Sequence, residues 1–372
     1  MATTAAITIG VARETADGER RVPLSPETAR KLIALGARLQ LQRGAGISAG
    51  FTDDAYAQAG VELVDDAAAA LESANIVLCV QSPPTMMLDS LREHTVLVGQ
   101  IAPQADPARA EAIISRGLVA FPLERLPRTT RAQAMDVLSS QAGMAGYKAV
   151  LLAAQLAPRF FPMLTTAAGT IRPSRVLIIG AGVAGLQAVA TAKRLGAQVD
   201  GFDVRPETRE QIESLGGKFL DLGVSAAGEG GYARQLTDDE RAEQQRRLGE
   251  YLRQVDVVVT TAAVPGRPAP KIVTAAMVAG MKPGSVIVDL AAETGGNCEL
   301  TRPGDTIETG GVTIAGPLNL ASSGATHASE MFSRNVLNFV NLFVKDGAIA
   351  FDWDDELLAK TVWPERSSSG SS

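Results

Sequence analysis

Residues 175–205, RVLIIGAGVAGLQAVATAKRLGAQVDGFDVR, constrain the fold more than any other stretch. An apolar strand core, Val176 to Ile179, runs into GAGVAG, in which Gly180, Gly182 and Gly185 complete a G-x-G-x-x-G. A helical pattern follows and stops near Gly196. A second strand then closes on Asp203, 18 residues past the third glycine. Glycines cluster in many turns, so the motif alone carries little. Strand, turn, helix, strand and acid in this order spell a βαβ unit for a dinucleotide. Gly180 permits the tight turn, Gly182 lets a pyrophosphate approach the backbone, and Gly185 lets helix and strand pack closely. The first helical turn then offers unpaired N–H groups and a partial positive charge to the phosphates. Asp203 is placed to accept hydrogen bonds from ribose hydroxyls and to repel a 2′-phosphate. That favours NAD(H) over NADP(H), although Arg205 is near enough to meet such a phosphate.

The rest of the chain alternates in the same way. Strands are expected at AITIGVA (5–11), ARLQLQ (37–42), NIVLCV (75–80), TVLVGQI (95–101) and LVAFPL (118–123). Helices are expected at 25–36, with Ser25 as cap and Pro26 at the first helical position, and at 107–117. Residues 124–172 begin as a loop, become a long helix that bridges two lobes, and end in a turn-rich stretch with the pattern of a hairpin. Beyond the glycine motif, DVVVTTAAVPG (256–266), SVIVDLAAETGG (285–296) and VTIAGPLNL (312–320) read as strands, the first two running into loops that line the site. ASEMFSRNVLNFVNLFVKDG (328–347) reads as a last helix whose phenylalanines form a core stripe. This predicts an α/β protein of two Rossmann-like lobes with parallel sheets, and NAD(H) in the cleft on the second lobe. The lobes are expected at 1–136 plus 329–372, and at 137–328.

Composition narrows the function. Thirty-five basic and 41 acidic residues give a net charge of −6, with no basic block, which argues against nucleic acid as a partner. Two cysteines and two histidines leave no disulfide framework and predict no metal site. His94 is expected at the surface, His327 in a structural or surface role, and Cys79 and Cys298 as inert small apolar or loop residues. No apolar run is long enough to span a membrane, and the N-terminus has no basic region before its apolar run.

The stretch RTTRAQAMDVLSSQAGMAGYKAV, taken with VLIIGAGVAGLQAVATAKRLGAQVDGFDVRP, GGYA, VTTAAVPGRPAPKIVT, SVIVDLAAETGGNCE and RETADGERRVPLSPE, resembles the NAD(H)-binding subunit of proton-translocating transhydrogenases over nearly the whole chain. That family is related in fold to alanine dehydrogenases. The resemblance implies that Arg128, Gln133, Asp136 and Ser139 contact the nicotinamide and its ribose. It places Val183 in the glycine turn and Asp203, Val204 and Arg205 around the adenosine, and it carries Gly231, Gln244 and Ala263 over as further cofactor residues. Tyr232 falls on a mobile loop. From spacing alone, the segment GEGGYARQ reads equally as a flap over the cofactor or as an ordinary insertion. The family is homodimeric and peripheral on the cytoplasmic face of the inner membrane. It works with an NADP(H)-binding domain on the beta subunit and with membrane-spanning subunits that conduct protons. SSGATHASEM departs from the family's usual pattern, and no role is carried over to His327.

Chemistry separates this reading from an alanine dehydrogenase. Oxidising an amino acid removes a proton along with the hydride, so a base is needed, and the substrate carboxylate calls for a cation. Alanine dehydrogenases carry a lysine and a histidine where this chain has Gln81 and Gln100. Arg20 or Arg21 alone does not make such a site. Hydride transfer between two nicotinamides moves no proton at the reacting atoms. It demands approach, alignment and exclusion of water.

Overall fold

The computed structural model describes residues 6–223, 237–263 and 267–365. The chain divides into two compact units, 1–141 with 322–372, and 142–321. The long helix Val137–Leu156 begins in the first unit and ends in the second.

The first unit is built on a six-stranded parallel sheet. Its strands are β1 (Thr8–Val11), β2 (Arg38–Gln42), β3 (Glu62–Val64), β4 (Ile76–Gln81), β5 (Val96–Gln100) and β6 (Val119–Pro122). Their order is β3-β2-β1-β4-β5-β6. Every connection is a crossover, so helices cover both faces and the central strands are largely apolar, with Gln81 and Gln100 at the carboxyl ends of β4 and β5. β4 shows this: Ile76, Leu78 and Val80 face one core, Val77 and Cys79 the other. The helix Pro26–Ala34 starts where Ser25 caps it, in a reciprocal capping box with Thr28. Short β3 lay unread in the sequence, because its three residues carry too little alternation to stand out.

The apolar stripe of the helix Ala325–Val340 packs into this first core. Phe332, Phe339 and Phe343 are fully buried, and Phe121 of β6 meets Phe339 and Phe343 at ring distances of 5.2 and 5.5 Å. Rings at that spacing add to the area they bury, which fastens a distant stretch of chain to the first sheet.

In the second unit the long helix is followed by an antiparallel hairpin, β7 (Leu164–Thr166) and β8 (Gly169–Ile171), within the turn-rich segment. Its main sheet holds β9 (Arg175–Ile179), β10 (Gln198–Phe202), β11 (Lys218–Phe219), β12 (Val257–Thr260), β13 (Val286–Asp289), β14 (Thr306–Thr309) and β15 (Val312–Ala315). The order is β11-β10-β9-β12-β13-β15-β14. β9 lies between β10 and β12, so the chain changes direction across the sheet at the carboxyl end of β9, where open α/β sheets bind ligands.

One strand differs from the expected parallel sheet. β14 runs antiparallel to β15 through a two-residue turn at Gly310 and Gly311, both with positive φ. Such a turn matches the strand twist and closes a hairpin, and the Gly-Gly flanked by alternating residues was its readable signal.

Candidate functional site

The glycine motif forms the turn between β9 and the helix Val183–Arg194. Gly180 has φ of +94°, where a side chain would be strained, and a Cβ there would lie 2.7 Å from the Thr261 hydroxyl. Gly185 lies against the turn itself: a Cβ would stand 1.8 Å from the Gly180 carbonyl oxygen. Gly182 has φ of −79°, and a Cβ there would meet nothing within 4 Å among the described residues. Its lack of a side chain leaves open space on the exposed side of the turn. Among the described residues no side chain caps the helix, which leaves its first-turn N–H groups without a capping partner there, and Val183 beside them is exposed. Uncapped donors with open space before them fit an anionic group such as a pyrophosphate.

Asp203 follows β10 and is buried. One carboxylate oxygen accepts from the Ala181 N–H and from Arg205 Nη2, both at 2.7 Å. The other accepts from the Arg205 N–H and Nε, both at 2.9 Å. Burial opposes ionisation here. The Arg205 guanidinium and the Ala181 and Arg205 N–H groups outweigh it and hold the carboxyl below its ordinary value. Asp203 thus has two tasks. It ties the glycine turn to the end of β10, and it engages Arg205 so that this arginine does not stand open to a 2′-phosphate. Val204 packs at the edge of the core below. Gln244 is buried on the helix Asp238–Leu252, and Ala263 is exposed just beyond β12. Gly231 and Tyr232 lie outside the described residues.

Arg128, Gln133, Asp136 and Ser139 belong to the first unit. Gln133 is exposed on a 3-10 turn, Thr130–Met135, and Asp136 caps the long helix. Asp136 accepts from the Ser139 N–H at 3.0 Å and from the Ser139 hydroxyl at 2.5 Å. Arg128 is exposed. Two residues that sequence reasoning missed steady this turn. Asn335 and Asn338 each donate to the Ala134 carbonyl at 2.9 Å, and only their spacing along one helix face hinted at it.

At the carboxyl end of the first sheet, Gln81 and Gln100 are register partners across β4 and β5. The Gln81 amide donates to Glu19 at 2.7 Å. Arg21, buried, is spent on Glu19 through Nε and Nη2 and on Gln141 through Nη1. Burial raises the Glu19 carboxyl, but Arg21 and Gln81 overcome this and hold it at about 2. His94 and His327 are both exposed. Cys79 and Cys298 are buried thiols whose ionisation is pushed up by burial. Among the described residues no cluster of three His, Cys, Asp or Glu is placed to hold a metal ion.

The N-terminal domain of the alanine dehydrogenase/PNT family matches residues 10–145, and its C-terminal domain matches 149–368. This chain belongs to the alanine dehydrogenase/PNT family. Among its members, an NAD(P) transhydrogenase subunit alpha chain of Rhodospirillum rubrum is 44% identical over 364 residues, covering 95% of each chain. The crystal structure of transhydrogenase from Sinorhizobium meliloti superposes with a TM-score of 0.88 at 40% identity, covering 96% of this chain and 98% of that one. The alanine dehydrogenase of Bacillus subtilis is a more distant member, 29% identical over 296 residues, 78% of this chain and 72% of its own.

Proposed function

We propose that this chain is the NAD(H)-binding subunit of a proton-translocating transhydrogenase. It presents NADH for direct hydride transfer to NADP+ held on the NADP(H)-binding domain of a beta subunit. Membrane-spanning subunits couple the transfer to proton movement, and the chain docks on them from the cytoplasmic face of the inner membrane. No helix among the described residues is long and apolar enough to cross a membrane. One observation carries this reading over the dehydrogenase alternative. Two carboxamides, Gln81 and Gln100, stand together where alanine dehydrogenases keep a lysine and a histidine, and Arg21 is held by Glu19. An amide neither takes up a proton nor carries charge, so Gln81 and Gln100 supply neither the base nor the cation that amino-acid oxidation calls for.

The mechanism follows from what the residues can do. The uncapped N–H groups of the first turn after Gly182 hold the pyrophosphate. Asp203, kept ionised by Arg205, receives the ribose hydroxyls. Gln133, on its steadied turn, orients the nicotinamide ribose. Arg128 and the Asp136–Ser139 pair fix the carboxamide and exclude water. When bound, the nicotinamide supplies a hydride from its C4 position. No proton moves at that atom, so these residues align and dry the site without acid or base work.

We also infer that two copies associate. The exposed apolar side chains Phe160, Met163 and Ile171, on and beside the β7–β8 hairpin, support this. The deciding experiment mixes the chain with NADH, an NAD analogue and the NADP(H)-binding partner domain. Analogue reduction that depends on the partner is expected. NADH formation from NAD and L-alanine by the chain alone would overturn the proposal.

A further inference from the structure

Two loops at the carboxyl end of the second sheet are joined through one buried side chain. The first leaves β12 at Thr261, and the second leaves β13 at Leu290. Asn297, fully buried, reaches between them. Its Oδ1 accepts from the Ala262 N–H at 3.0 Å, and its Nδ2 donates to the Ala262 carbonyl at 2.7 Å and to the Pro270 carbonyl at 2.9 Å. One amide therefore closes both ends of the 262–270 segment. The backbone reinforces this closure: Ile272 and Val273 N–H donate to the Asn297 carbonyl, and Ala269 N–H donates to the Thr294 carbonyl. Asp289, fully buried at the end of β13, anchors the second loop. It accepts from the Thr260 and Thr301 hydroxyls and from the Ala291 and Cys298 N–H groups at 2.6–3.0 Å.

The first loop is also in contact with the glycine turn. The Thr261 hydroxyl donates to the Gly180 carbonyl at 3.0 Å, and the Ala262 nitrogen is 3.0 Å from where a Gly180 Cβ would stand. A displacement of Ala262 is transmitted to the glycine turn through Thr261, its chain neighbour, whose hydroxyl donates to the Gly180 carbonyl and whose N–H donates to the Ile179 carbonyl.

We infer that Asn297 is a positioning residue for the dinucleotide, its amide clamping Ala262 and Pro270 so that the Thr261–Ala263 segment holds the glycine turn in its binding shape. The inference rests on reading the second unit as the NAD(H) site. It goes further by naming a side chain that touches no ligand yet sets the affinity.

The test is Asn297→Asp in the full chain, with NADH affinity measured by fluorescence titration at pH 8.0 and pH 5.5 beside wild type. The aspartate keeps the shape but loses both N–H donors and turns a carboxylate toward two carbonyls. NADH should bind about tenfold more weakly than to wild type at pH 8.0. The ratio should shrink at pH 5.5, because a buried carboxyl facing carbonyls takes up a proton readily and regains one donor. The charged groups on these loops, Arg267, Lys271, Asp289, Glu293 and Glu299, are present in both proteins, so the ratio reads the introduced carboxyl in their field. A merely structural role would lower melting temperature without a pH-dependent affinity ratio. A ratio of one at pH 8.0, or one equal at both pH values, overturns the inference. If the aspartate variant does not fold, Asn297→Ser, which keeps one donor, carries the test: weaker NADH binding supports the inference and unchanged binding overturns it. Failure of wild type to bind NADH would strike the dinucleotide reading itself, and this inference with it. Wild-type binding with an unaltered variant would strike the inference alone.

Discussion

The glycines at 182 and 185 do different jobs, and alanine at each position separates them. At Gly185 the new methyl would stand 1.8 Å from the Gly180 carbonyl oxygen, 2.8 Å from its carbon and 3.1 Å from the Thr261 hydroxyl. Ordinary contact at about 3.4 Å would need helix and turn to part by about 1.5 Å, and backbone cannot swing aside as a side chain does. Overpacking of this kind costs about 1–3 kcal/mol. In a unit of this size about 2 kcal/mol lowers Tm by roughly 4–8 °C. At Gly182 the methyl meets nothing and the backbone angles suit alanine. The poorer cap and the reduced freedom of the unfolded chain offset one another, so stability should stay within about 0.5 kcal/mol. The methyl does, however, enter the space assigned to the pyrophosphate. NADH should bind at least about tenfold more weakly, which is about 1.4 kcal/mol. Thermal melts with and without NADH, beside fluorescence titrations, read both effects. Gly182→Ala binding NADH like wild type would refute the anion cradle. Gly185→Ala melting within about 1 °C of wild type would refute the packing argument.

Further outcomes follow from the same geometry. Asp203→Asn should weaken NADH binding and raise relative affinity for NADPH about tenfold or more, since a released Arg205 can pair with a 2′-phosphate; an unchanged NADH to NADPH ratio in titration would contradict this. Gln133→Ala should slow hydride transfer to the partner more than it weakens NADH binding, and a loss confined to Kd would remove its orienting role. Glu14 is pushed up to about 7, chiefly by burial and further by the Glu19 charge, against the Val80 and Gln81 N–H groups and Arg21 that pull it down. Its folded pKa lies above the unfolded value, so its contribution is complete below about 4.5 and is lost as pH rises through about 7. Glu14→Gln should therefore gain Tm relative to wild type at pH 8 and not at pH 5; the same difference at both would show that Glu14 does not titrate there. Ile171→Asp should shift sedimentation toward a single copy, and an unchanged profile would remove the hairpin from the interface.

Much of this molecule was legible because its signals are local. The G-x-G-x-x-G, the Ser25 cap and the apolar strands each lie within a dozen residues, and the structure forms them where the pattern lies. Weak or short signals were missed: β3, the two-residue edge strand β11, and the hairpin partner β14. Site residues divide in the same way. Gly180, Gly182, Gly185 and Asp203 announce themselves by spacing. Asn297 and Asp289 do not, because an asparagine or an aspartate in a loop looks the same whether it faces water or joins two loops. Asn335 and Asn338 lie some two hundred residues from the Ala134 carbonyl they support.

The α/β class, the dinucleotide motif and the absence of lysine and histidine at positions 81 and 100 are written in the order of residues, since periodicity, turn chemistry and residue identity are properties of the chain. The partners of the polar groups emerge with folding: Arg21 meets Glu19, Asp203 meets Ala181 and Arg205, and Asn297 meets Ala262 and Pro270. A buried polar group must find a partner, and which partner it finds depends on what folding brings within about 3 Å.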